Sequence, residues 1–118
     1  MIRASCHCGS VNLEIEAPPT EVIECNCSLC RRYGVLWAYY ALDQVRVLTS
    51  DPPTKVYVWN GRTTEFQHCQ NCGCVTHWSP VDLARNRMAV NARLMDPETL
   101  ASARIRHLDG ADTDEYVD

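Results

Sequence analysis

The 118-residue sequence has no apolar stretch approaching the roughly 20 residues that a membrane helix needs. Its opening, MIRASCHCGS, has no apolar core of the kind a secretion signal carries. A cytoplasmic protein with no membrane partner is therefore expected. Runs of Lys or Arg are also missing, and the formal net charge is −4, with 11 Lys+Arg against 15 Asp+Glu. That balance lacks the basic footprint by which a general nucleic-acid binder neutralises phosphates, so no nucleic-acid partner is expected. Repeats, low-complexity segments and a linker are absent too, and residues 1–118 are expected to form one domain.

Helical periodicity is confined to one turn at 28–32 and one at 97–101, where Asp96 is placed to cap and Pro97 to occupy the first helical position. Strand signal dominates. Residues 10–16 alternate polar and apolar, the period of a strand with one buried face, and Pro18-Pro19 ends the run. Further runs rich in β-branched and aromatic residues fall at 36–42, 45–48, 55–59, 63–67, 75–78 and 88–94. Turn signals separate them at Asp51-Pro52-Pro53, Asn60-Gly61 and Ser79-Pro80. Asn60-Gly61 suits a two-residue type I′ turn, which predicts a hairpin that delivers His68, Cys69 and Cys72 at its far end. The acidic residues of 112–118 are expected to be a solvated end. The class is mainly β.

Eight cysteines stand in three tight groups, at 6 and 8, at 25, 27 and 30, and at 69, 72 and 74. In a reducing compartment such pairs point to metal ligands rather than disulfides. Cys6-His7-Cys8-Gly9 and Cys69-Gln70-Asn71-Cys72-Gly73 each place glycine after the second cysteine, where the backbone turns tightly and aims N–H groups at sulfur. Four thiolates from these knuckles would fill a tetrahedral Zn²⁺ and leave no place for substrate, the arrangement of a structural site.

Cys25, Cys27 and Cys30 supply three thiols within six residues, the ligand count of a catalytic zinc with one open position. A soft three-thiolate ion favours a soft fourth ligand such as a small-molecule thiol. Arg31 and Arg32 follow directly, to offset the charge, to bind a substrate carboxylate, or simply to be solvated. Cys74 leaves two arithmetics open: it is a spare that enters the next strand as a small core residue, or it closes the middle group. His7, His68, His77 and His107 each have a plain packing or surface role available. Trp37, Tyr39, Tyr40, Tyr57 and Trp59 read as core and sheet surface.

The order Cys6-His7-Cys8-Gly9-Ser10-Val11, then Cys25-Asn26-Cys27-Ser28-Leu29-Cys30-Arg31-Arg32-Tyr33-Gly34, then Cys69-Gln70-Asn71-Cys72-Gly73 resembles the glutathione-dependent formaldehyde-activating enzyme family, which includes centromere protein V. Asp109-Gly110-Ala111-Asp112 is similar to its carboxy-terminal signature. The resemblance implies a β-tent fold of stacked antiparallel sheets pinned by zinc. It implies two zinc ions, a structural one at Cys6, Cys8, Cys69 and Cys72 and a catalytic one at Cys25, Cys27 and Cys30. The implied activity is that of a carbon–sulfur lyase, joining glutathione and formaldehyde into S-(hydroxymethyl)glutathione. Two other classes compete: thiol redox chemistry at Cys74, as in methionine sulfoxide reductase B, and a non-catalytic zinc-stabilised module that binds a thiol or a protein.

Overall fold

A computed structural model describes residues 1–49 and 52–118; Asp51 of the expected 51–53 turn lies outside them. The chain is mainly β, in two stacked sheets. Strands β1 (Ile2–Ser5), β2 (Val11–Ile15) and β5 (Val45–Thr49) form a three-stranded antiparallel sheet in the order β1-β2-β5. The second sheet contains β3 (Glu21–Cys25), β4 (Trp37–Tyr40), β6 (Lys55–Trp59), β7 (Thr64–His68), β8 (Val75–Pro80), β9 (Met88–Asn91) and β10 (Arg104–Leu108), in the order β10-β3-β4-β9-β8-β7-β6. Its pairs are antiparallel except β10 with β3, which run parallel.

The central strands of the large sheet are buried on both faces, and the two-residue period sorts their side chains. Val22, Leu36, Ala38, Met88 and Val90 join Leu13 and Ile15 of the small sheet in one core. Their neighbours Ile23, Trp37 and Ala89 turn to the opposite face and pack with Cys25, Cys30, Phe66 and Trp78. Each strand thus serves the intersheet core with one set of residues and the middle cysteine group with the other.

The 55–59 and 63–67 runs do form a hairpin, but Trp59 pairs with Thr64, so the connection is four residues rather than two. Its turn centres one position later than Asn60-Gly61: Thr63 N donates to Asn60 O at 3.2 Å, and Gly61 and Arg62 take φ of 63° and 66°, the sign a type I′ turn requires. Ser79-Pro80 is strand rather than turn, because Glu65 and Thr64 pair with it; proline needs no ladder donor at a strand's end. The 88–94 run stops at Asn91, whose Oδ1 accepts from Arg93 N at 3.2 Å and bends the chain into a 3₁₀ turn, Ala92–Leu94. Helices α1 (Cys30–Tyr33) and α2 (Pro97–Leu100) are single turns; Pro97 opens α2, but the Asp96 side chain makes no cap bond.

The carboxy-terminal segment is not merely a solvated end. Asp118 accepts from Arg104 and Arg106 at 3.0 Å and from His107 N at 2.9 Å, and the Arg106 guanidinium lies 3.7 Å from the Tyr116 ring centroid. These contacts fold residues 109–118 back along β10 and over the end of β3.

Leu13 is fully buried between the sheets. Leu13→Ala should cost about 2–5 kcal/mol, read as a lower urea midpoint with an unchanged slope.

Candidate metal centres

Seven of the eight cysteines assemble into two sulfur groups. Cys6, Cys8, Cys69 and Cys72 form one and Cys25, Cys27 and Cys30 the other, with the sulfurs of each group within 4.8 Å of one another. The first joins the loop after β1 to the loop after β7. Gly9 and Gly73 both adopt φ of 82°, a conformation other residues rarely take, so each knuckle closes the same way. Gly9 N donates to Cys6 O and Gly73 N to Cys69 O, at 3.1 and 3.0 Å. Val11 N–H donates to Cys6 Sγ at 3.3 Å.

Sulfur spacing supplies a test of fit. A tetrahedral ion with metal–sulfur bonds of about 2.3 Å sets sulfurs about 3.8 Å apart. Cys6 and Cys8 Sγ are 3.7 Å apart, and Cys8 and Cys69 Sγ 3.6 Å. These two spacings suit a thiophilic divalent ion such as zinc. Burial raises the Cys6 thiol to about 11, whereas the Ser10 hydroxyl beside Cys8 brings that thiol down to about 5.

The second group is built by a different device. Cys25 ends β3, Cys30 begins α1, and Cys27 lies in the turn between. Cys27 N–H approaches Cys25 Sγ at 3.5 Å and Cys30 N–H approaches Cys27 Sγ at 3.3 Å, so the backbone coils around its own sulfurs. Trp37 donates its indole N–H to Cys30 Sγ at 3.3 Å. Hydrogen bonding from Cys30, opposed by burial, holds the Cys25 thiol down at about 6, while Cys25 and burial push the Cys30 thiol up. Cys25 and Cys30 thus share a proton that a metal ion would displace.

Gly110 packs against this group at the cleft. Parallel pairing sets Leu108 beside Cys25, and the chain then crosses the sulfurs. A Cβ at position 110 would lie 2.6 Å from Cys25 Sγ and 3.3 Å from Cys27 Cβ. Asn26 fixes the crossing, donating to Asp109 Oδ1 and accepting from Ala111 N, both at 3.0 Å. The loop thus carries no side chain where it meets sulfur.

Cys25 and Cys30 are buried and Cys27 is partly exposed, at the floor of a cleft of about 420 Å³. Trp37, Tyr39, Phe66 and Trp78 supply its aromatic walls. Trp37 and Tyr39 therefore do more than pack the sheet. Arg31 and Arg32 do not line this cleft. Arg32 turns back to donate to Ser28 O at 2.7 Å, and Arg31 lines a separate hollow of about 250 Å³ that Cys25 and Cys30 also reach. The arginines of the cleft are Arg85 and Arg87, after β8, which the sequence reading did not single out.

Cys74 stays with the four-cysteine group, packed against Cys6, Val11 and Cys69, and does not close the middle one. It is half-buried before β8 rather than inside it, and it lines a hollow of about 700 Å³ with His68 and Arg93. His7 and His107 are exposed. His77 is buried beside Thr76, with Nδ1 2.8 Å from its hydroxyl, and burial lowers its pKa to about 4.

Two cysteine groups that could each hold a metal ion, one of four sulfurs and one of three opening on a cleft, stand on stacked β-sheets. The chain belongs to the family of glutathione-dependent formaldehyde-activating enzymes, whose model matches residues 1–107. It is also similar to a crystal structure of a Rhodobacter sphaeroides protein, with 27% sequence identity over 88% of this chain and 99% of that one, at a TM-score of 0.72. No curated protein matches. Among the described residues, no helix is long and apolar enough to cross a membrane.

Gly110→Ala should lower metal affinity at the three-cysteine group by about 10–100-fold and leave the four-cysteine group unchanged. Competition against a colorimetric chelator resolves the two.

Proposed function

We propose that this protein is a zinc-dependent carbon–sulfur lyase-type enzyme that joins a small thiol, glutathione, to an aldehyde such as formaldehyde at the three-cysteine centre. The observation that carries this reading is the position of Cys25, Cys27 and Cys30 at the floor of an aromatic-walled cleft, with Cys27 partly exposed. Family membership supports it.

Zinc bound there supplies Lewis acidity, which lowers a thiol's pKa and keeps its sulfur as thiolate at neutral pH. The chain's own residues do the rest. Cys25, Cys27 and Cys30 would hold the ion, and a substrate sulfur would reach it from the cleft they line. Trp37 and the Gly110 backbone N–H draw charge from Cys30 and Cys25, so the centre attracts a further thiolate less reluctantly. Trp37, Phe66 and Trp78 make the walls beside them aromatic. In the reaction the thiolate sulfur bonds to the aldehyde carbon. The carbonyl π pair moves to oxygen, which takes up the proton that the thiol released. The product is a hydroxyalkyl thioether.

The four-cysteine centre has a separate role as a structural zinc site. Metal there is worth on the order of 10 kcal/mol, judged from small zinc peptides. Its removal unfolds the domain.

Calorimetric titration of metal-loaded protein with glutathione should show binding that S-methylglutathione, which offers no thiolate, does not reproduce. A Cys27→Ser/Cys30→Ser variant should keep the fold and one zinc, bind no glutathione and lose adduct formation. Equal adduct rates in native and variant protein would overturn the reading. Cys69→Ser should instead lower the melting temperature sharply.

A further inference from the structure

Three charged side chains line the cleft and have no part in the chemistry above: Arg85, Arg87 and Asp114. Among the described residues, the ion pairs join Arg3, Arg46, Arg104 and Arg106 to Glu14, Glu21 and Asp118, and none engages these three. The cleft therefore carries two cations and one anion that are not neutralised by the protein itself.

Both cations are held in place by aromatic rings. The Arg85 guanidinium lies 5.1 Å from the Trp78 ring centroid and donates to Thr64 Oγ1 at 3.3 Å. The Arg87 guanidinium lies 4.2 Å from the Tyr39 centroid. A ring against one face of a guanidinium leaves in-plane N–H groups for a carboxylate, and fixing the fork beforehand reduces the entropy lost on binding. Asp114 comes from the same loop as Gly110. Its φ of 58° is one that Asp tolerates, and Asp114 N donates to Asp109 O at 2.7 Å.

We propose that Arg85, Arg87 and Asp114 select the thiol by charge, the two arginines each receiving a carboxylate and Asp114 an ammonium group. Glutathione, the thiol of the proposed function, carries the matching set of two carboxylates and one ammonium, so the new assignment is of these three residues as its specificity determinants. A volume of about 420 Å³ accommodates such a molecule with its sulfur at the cysteines. This assignment rests on the thiol-binding reading above, and it makes the loop at 85–87 and the carboxy-terminal loop joint determinants of specificity.

The test is binding to metal-loaded protein by calorimetry, with glutathione, mercaptosuccinate (two carboxylates, no ammonium) and uncharged 2-mercaptoethanol as probes. Arg85→Met and Arg87→Met should each weaken glutathione and mercaptosuccinate about tenfold, the worth of one charged hydrogen bond, and leave 2-mercaptoethanol unaffected. Asp114→Asn should weaken glutathione alone. Raising salt on the unaltered protein should weaken both charged thiols but not the neutral one, a readout that no folding defect can mimic. Equal losses for charged and neutral thiols, no loss in the arginine variants, or a flat salt response would each overturn the proposal. If mercaptosuccinate binds in an arginine-dependent way and glutathione does not bind at all, the glutathione reading falls while selection of dicarboxylate thiols stands. If no thiol binds the unaltered protein, both fall.

Discussion

Sulfurs within 4.8 Å of one another cannot all be thiolates unless something neutralises them. Two unit charges 4 Å apart repel by about 4 kcal/mol at a near-surface dielectric. The backbone must therefore gather the ligands while protons still separate their charges, and it must offer donors that survive the exchange of protons for metal. Val11 N–H at Cys6, the Trp37 indole at Cys30 and Cys30 N–H at Cys27 are such donors. The opposed shifts of Cys25 and Cys30 are the same constraint seen from the proton's side.

The large sheet meets this constraint by dividing its faces. Leu36 and Ala38 belong to the intersheet core, whereas Trp37 between them reaches Cys30. Ala89 likewise faces the cysteine side while Met88 and Val90 face the small sheet. Rigidity of the core thus passes directly to the sulfur group through one backbone, without an intervening loop. The charged side chains of the cleft, by contrast, sit on connections, where they can vary without disturbing the scaffold.

Much of this was legible beforehand. Alternation at 10–16 and β-branched runs at 55–59 and 75–78 located strands because each has a clear period or composition, and the paired Cys-Gly knuckles announced the four-sulfur group by spacing alone. Of the strands not expected, β1 spans only four residues, and β3 and β10 lack those signals. β3 carries Val22 and Ile23 on opposite faces and does not alternate, and β10 is an exposed edge strand whose place is set by parallel pairing to β3. Arg85 and Arg87 were invisible for another reason: more than 50 residues separate them from Cys30 in sequence, and only the pairing of β8 with β7 and β9 brings them to the cleft. Arg31 and Arg32 drew attention by adjacency to Cys30, yet on a single helical turn adjacent residues point away from one another.

The two sulfur groups also differ in the length of chain each encloses. Cys8 and Cys69 are 61 residues apart, so a shared ion turns more than half the polypeptide into a ring. Ring closure of that contour length restricts the unfolded ensemble by about 4 kcal/mol, by the relation used for disulfides. Cys25 to Cys30 encloses barely one turn, and an ion there removes almost no disorder from the unfolded chain. Metal could thus come and go at the cleft without endangering the fold, while loss at the knuckles would release the whole ring.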